Sequence, residues 1–164
     1  MKDDLQDAID YIKKIMRENK DAVRKAILRV GSKYEKKLRN KIKEKDIMAS
    51  RNLYLSVDSE LKQKKGNFIL TFFLAKYGIY VEEGTKPHYP PLKPIVNWVE
   101  QKRIKPDSYQ KGQDLEAAQK SIAIAIQKTI GKKGTKKQEF IKPVFKRFEN
   151  QMIRELKKEL ENAA

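Results

Sequence analysis

A change of apolar period along the chain constrains its fold more than any other feature. Leu5, Ile9, Ile12 and Met16 recur three and four residues apart, and Val23, Ile27, Val30, Tyr34, Leu38 and Ile42 continue the spacing. This places one side chain per turn on a single buried face, the pattern of amphipathic helix. The polar stretch Asn19-Lys20-Asp21 interrupts the run, so two helices are expected within residues 3–45. Gly31 falls inside the second, where one glycine costs little. Lysine and arginine, among them Arg24, Lys25, Arg29, Lys33, Lys36 and Lys37, crowd the opposite face.

From Leu53 the period drops to two. Leu53, Leu55, Val57 and Ser59 alternate with Tyr54, Ser56, Asp58 and Glu60, which predicts a half-buried strand. Lys64-Lys65-Gly66-Asn67 has turn chemistry, and Phe68 to Leu74 is a second β-prone run. The pair predicts an antiparallel hairpin with a basic tip, which must pack on a helix because two strands are marginal alone. Pro87, Pro90 and Pro91 then rule out a regular element after Gly84, whereas Pro94 suits the first turn of a helix presenting Ile95, Trp98 and Val99. A polar loop follows over residues 104–113.

Asp114 is placed to cap a third helix carrying Ala118, Ile122, Ile126 and Ile130, with Gly131 expected to end it. Residues 132–137 read as a solvated, mobile basic loop. Phe140, Val144, Phe148, Met152, Leu156 and Leu160 predict one long C-terminal helix, with Pro143 near its start. No internal repeat is visible. The expected order is α-β-β-α-α-α, an α+β fold whose long N- and C-terminal helices pack on a small antiparallel sheet. The 164 residues suit a single domain spanning 1–164: a helical region over 1–45, the hairpin and proline-rich segment over 50–103, and C-terminal helices over 114–164.

Composition narrows the setting. Hydrophobic residues make up 39% and charged residues 37%, so a thin core and surfaces left for neighbouring subunits are expected. The net charge of +16 attracts polyanions, although a lysine-rich proteome from an AT-rich genome accounts for it equally well, and 22 acidic residues accompany the basic ones. Without cysteine there are no disulfides and no thiolate metal sites or thiol catalysis. No apolar run approaches the roughly 20 residues of a membrane span. The N-terminal MKDDLQDAIDYIKK is acidic and amphipathic, unlike a secretory signal.

One segment is more specific. Tyr77-Gly-Ile-Tyr-Val-Glu-Glu-Gly-Thr-Lys-Pro-His88 resembles the signature of the head–tail joining and tail-completion family of tailed bacteriophages, which also includes minor tail components. That signature runs from an aromatic residue through a short helical or extended step to Glu-x-Gly-Thr and prolines. Tyr77, Tyr80, Val81, Glu83, Gly84 and Thr85 are the matching positions. Pro90-Pro-Leu-Lys-Pro-Ile-Val-Asn-Trp98 looks like the variant in which a proline-rich loop feeds a Trp-bearing helix. Phe140-Ile-Lys-Pro-Val-Phe145 is similar to the family's closing step before its last helix. Two features depart from the pattern: Ser50-Arg51-Asn52-Leu53 lacks the family's glycine, and the N-terminal helical region is longer.

The resemblance implies a non-enzymatic virion protein, made in the host cytoplasm and built into the neck or tail as a connector, completion or terminator subunit. It also implies a homo-oligomeric ring, hexamer or dodecamer, contacting neighbouring connector and tail-tube proteins. Passing double-stranded DNA would be touched without sequence readout, and no cofactor, metal or membrane is involved. Tyr77, Tyr80, Glu83, Gly84, Thr85 and Trp98 are the expected structural corner: a glycine for a sharp exit, a threonine for local hydrogen bonds, and Glu82 or Glu83 to accept from loop amides. Lys62, Lys64, Lys65, Lys132, Lys133, Lys136 and Lys137 are the expected contacts to DNA or to neighbouring subunits.

Catalytic readings are poorer. Glu82, Glu83 and His88 are the best constellation, but adjacent residues of an extended chain point apart, and a sole histidine makes no zinc pair. Gly131-Lys-Lys-Gly-Thr135 lacks phosphate-loop spacing and follows a helix instead of a strand. The competing reading is a stand-alone nucleic-acid binder using lysine-rich helices and loops, although no helix-turn-helix, zinc-finger or RNA-recognition motif is present.

Overall fold

A computed structural model describes residues 2–47, 51–110, 112–146 and 148–162. Ser50, Lys111 and Arg147, which fall within stretches discussed above, lie outside the described residues. The fold is mostly helical α+β, with a two-stranded antiparallel sheet and long helices near both ends of the chain.

The apolar period of the first 45 residues becomes α1 (Lys2–Glu18) and α2 (Lys20–Glu44). They part at Asn19, whose side chain caps α2 by accepting from the Ala22 amide at 3.0 Å. Val23, Ala26, Val30, Tyr34, Leu38 and Ile42 of α2 are buried, each Val, Leu or Ile among them contributing roughly 1.5–3 kcal/mol of transfer free energy. Gly31 has a packing reason: a Cβ there would lie 3.1 Å from Ser59 Oγ and 3.2 Å from a Leu70 methyl, so its absence lets the sheet close on the helix.

The hairpin begins later than the alternation suggests. Residues Asn52–Leu55 form a single helical turn, α3, and β1 runs Asp58–Lys64. Leu53 and Val57, four apart, are both buried, while Leu55 between them is 69% exposed, so the helical spacing prevailed over the alternation. β2 (Asn67–Phe73) pairs with β1 from Asp58↔Phe73 to Lys64↔Asn67. The turn residues Lys65 and Gly66 both have positive φ, at 49° and 82°, as a right-twisted two-residue hairpin requires. Ser59, Leu61, Phe68, Leu70 and Phe72 occupy the half-buried positions, and Ile69 and Phe73 are exposed on the other face.

Beyond the hairpin come α4 (Gly78–Glu83), α5 (Leu92–Gln101) and α6 (Leu115–Lys133), the last capped by Asp114 through the Ala117 amide at 3.1 Å. Gly131 does not end α6; Gly134 does, with φ 71° and its amide on the Ile130 carbonyl at 2.8 Å. The single C-terminal helix expected from Phe140 is instead a short α7 (Lys142–Phe145) and a longer α8 (Phe148–Glu161), parted at Lys146 in extended backbone. The break lets Phe145 and Phe148 approach Tyr34 from two directions, with ring centroids 5.9 and 4.8 Å away.

Two buried clusters form the body, and both are flanked by Phe72, Val144 and Phe145. One centres on α2 and α8 (Val23, Val30, Tyr34, Leu156, Leu160) and the other on Leu38, Ile42, Leu53, Val57 and Phe140. A third cluster stands apart, with Ile95 and Val99 of α5 against Ala123 of α6. The α5–α6 pair is thus an arm with its own small core.

Candidate functional site

The junction between body and arm is sewn by backbone. Gly84-Thr85, leaving α4, and Gly134-Thr135, leaving α6, run antiparallel. The Thr85 amide donates to the Thr135 carbonyl at 3.1 Å and the Thr135 amide to that of Thr85 at 3.2 Å. Their hydroxyls lie 3.0 Å apart. Both glycines have φ near +70° and extended ψ, a region reserved for glycine. A Cβ on Gly84 would overlap the Thr135 carbonyl, and one on Gly134 the Thr85 carbonyl. Residues 132–137, expected as a free loop, are therefore the end of α6 followed by half of this clasp.

A carboxylate extends the seam. Glu82 is 4% exposed; its Oε2 accepts from the amides of Phe140 at 2.6 Å and Ile141 at 2.8 Å, and its Oε1 from that of Lys142 at 2.9 Å. The Val81 carbonyl accepts from the Gln138 amide at 2.8 Å. Because residues 78–83 are helical, Glu82 and Glu83 face different ways, and Glu83 is exposed without an ion pair among the described residues. Of the two glutamates, Glu82 is the anchor. The duplicated Gly-Thr dipeptide was the sequence signal for this joint.

The aromatic residues of the same segment are placed differently. Tyr77, Tyr80 and Trp98 are 43%, 63% and 41% exposed. They line an open groove of about 1060 Å³ between α4, α5 and the clasp. Pro87, Pro90 and Pro94 form part of its wall, and Arg51, Lys86 and Lys136 supply cations. Asp46, at the same groove, is paired with Lys102 at 2.7 Å, which also ties the arm to the end of α2. The loop between α4 and α5 is held against α6 by Gln127 Nε2 on the Pro90 carbonyl at 2.8 Å. Tyr89 packs so closely on Gly131 that a Cβ there would come within 2.5 Å of its ring. The prolines and this loop give the groove a rigid wall.

The basic residues divide. Lys62 pairs with Glu60 at 2.9 Å and Lys137 with Glu139 at 3.0 Å. The hydrogen bond and charge of Lys137 hold the Glu139 carboxyl below the usual glutamate range. Lys64, Lys65, Lys132, Lys133 and Lys136 are exposed with no ion pair among the described residues. On α2, Lys33 and Arg29 reach Glu159 at 2.5 and 3.4 Å, and Lys37 reaches Glu155 at 2.8 Å. Half of the basic helix face is thus spent on α8, leaving Arg24, Lys25 and Lys36 exposed.

His88 Nδ1 lies 2.9 Å from the Lys86 carbonyl. Among the described residues no group of three His, Asp or Glu side chains is arranged to hold a metal ion, and no helix is long and apolar enough to cross a membrane. The chain matches no protein family, no curated protein and no solved structure.

Proposed function

We propose that the chain is a non-enzymatic, ring-forming subunit of the neck or tail of a tailed bacteriophage, a hexamer or dodecamer between the DNA-filled head and the tail. The carrying observation is a set of exposed large apolar side chains, among them Leu55, Ile69, Phe73, Tyr77, Ile79, Tyr80 and Trp98. Tyr77, Tyr80 and Trp98 gather on one groove, and Tyr and Trp are the residues protein interfaces favour. The segment that bears the family resemblance, residues 77–103, contributes four of these seven, on a backbone held by the Gly-Thr clasp and Glu82. Rigid presentation of such side chains lowers the entropy lost on association. Connector and tail-tube proteins would be its neighbours, with synthesis in the host cytoplasm. Its basic charge would line the channel taken by double-stranded DNA.

Native mass spectrometry and negative-stain imaging of the purified chain should show a closed ring, and purified virions should contain it. The gene should lie between those for the portal and the major tail protein. A chain that stays monomeric, encoded among chromosomal transcription genes, would overturn the reading. A second reading, a stand-alone nucleic-acid binder, is favoured by the exposed lysines of the hairpin tip and the end of α6. It requires tight duplex binding by the monomer near physiological salt.

A further inference from the structure

We infer that the aromatic groove receives the acidic first half of α1 from a second copy of this chain, an inference that rests on the proposed ring. The groove is rimmed by Arg51, Lys86 and Lys136 and floored by Tyr77, Tyr80 and Trp98, so its occupant must be apolar and acidic. In a chain of net charge +16 the most acidic helical stretch is the start of α1. Residues 4–10 carry Asp4, Asp7 and Asp10 with no lysine or arginine between them. A spacing of three sets these carboxylates along one side of α1.

Tyr11, Ile12, Ile15 and Met16 of α1 pack on the main cluster, whereas Leu5 and Ile9, equally half-buried and flanking the buried Ala8, join none of the three clusters. The groove is lined by residues from Asp46 onward and by none of α1, which packs instead on α2 and α8. The two surfaces are therefore separate patches of one molecule. Pairing one with the other on the next copy is a heterologous contact, the kind that repeats head to tail and closes into a ring when the rotation allows. The acidic strip also resolves an electrostatic difficulty. Copies of charge +16 repel at long range, and setting carboxylates on the cationic rim makes the contact itself attractive.

Trp98 is the chain's single tryptophan, so its emission reports on this groove alone. The test follows assembly of the full-length chain by native mass spectrometry and Trp98 emission as concentration rises. Two charge-reversed chains are compared, D7K/D10K and K86E/K136E, with circular dichroism checking that helix content is kept. Each alone should remain monomeric with solvent-like Trp98 emission, and their equimolar mixture should regain rings and a blue shift. Tyr80→Ala removes a largely exposed ring and should leave the fold intact, yet weaken association roughly tenfold or more. If both charge variants form wild-type rings, the groove is not the α1 socket, although the ring reading stands. If the wild type never assembles, the ring reading fails and this inference with it. Quenching of Trp98 in the monomer by a single-stranded oligonucleotide, equally in D7K/D10K, would assign the groove to a polyanion and overturn the proposal.

Discussion

Around Tyr34 the chain is held by side chains; around Gly84 it is held by backbone. Tyr34 is fully buried, with Phe72, Phe145 and Phe148 set about it at 4.8–6.4 Å between ring centroids, and its hydroxyl reaches Gln151 only at 3.5 Å. Burial pushes the Tyr34 phenol above its ordinary pKa, opposed by Lys37. At the corner the cohesion comes from two threonine amides, three amides on one carboxylate, and two glycines that permit the approach. Apolar packing tolerates substitutions of similar shape, whereas hydrogen-bonded backbone pairs at close approach tolerate almost none. The corner is the less forgiving region toward substitutions of similar shape, although the body holds more of the stability.

That contrast yields measurable differences. Tyr34→Ala should have the largest effect, about 3–5 kcal/mol by urea denaturation, because it empties the middle of the aromatic cluster. Loss of under about 1 kcal/mol would mean that the body does not depend on this cluster. Gly134→Val should cost on the order of 3 kcal/mol, since a forbidden backbone region is compounded by overlap with the Thr85 carbonyl. Hydrogen exchange should then accelerate at Thr85 and Thr135 while α2 stays protected; uniform acceleration would erase the distinction between the two regions.

Glu82→Ala should cost roughly 1–3 kcal/mol by leaving amides of residues 140–142 without their acceptor, and those amides should exchange fastest. The smallest effect belongs to the seam between α2 and α8. Hydrogen bonding to Lys33, partly opposed by burial and reinforced by Arg29, holds the Glu159 carboxyl below its ordinary value. A depressed carboxylate contributes stability that is present above the unfolded glutamate pKa of about 4.3 and is lost as pH falls through the folded value. Acid titration of wild type and Glu159→Gln should therefore diverge above that range and converge below it. Parallel curves throughout would show that the seam contributes nothing.

Much of the body was legible. The three-and-four spacing of residues 5–42, the break at Asn19 and the turn at Lys65-Gly66 each rest on local chemistry, and α1, α2 and the hairpin follow them. The alternation from Leu53 to Ser59 misled because Leu53 and Val57 satisfy a helical turn as well as a strand. The spacing of Phe140 and Val144 with Phe148 also misled, because residues four apart share a face only if the helix between them is unbroken. The basic face of α2 was visible, but its neutralisation by Glu155 and Glu159 was not, since those partners lie more than a hundred positions away.

The candidate site was half visible. Gly84 and Thr85 were marked by their residue types, yet their partners Gly134 and Thr135 stand fifty positions further along and looked like a solvated loop. Which of two adjacent glutamates faces inward depended on whether residues 78–83 coil, and Gly78 packs there too closely on Leu53 and Leu74 to carry a Cβ. Tyr77, Tyr80 and Trp98 read as residues of a structural corner; their exposure follows from the open groove they line.

The sequence by itself determined most of the periodic elements, the cap at Asp114, the turn and the charge, because each arises among residues a few positions apart. Tertiary structure alone decided the clasp, the buried Glu82 and the open groove. Each of these joins groups distant in the chain, and no local pattern records how two backbone segments approach one another.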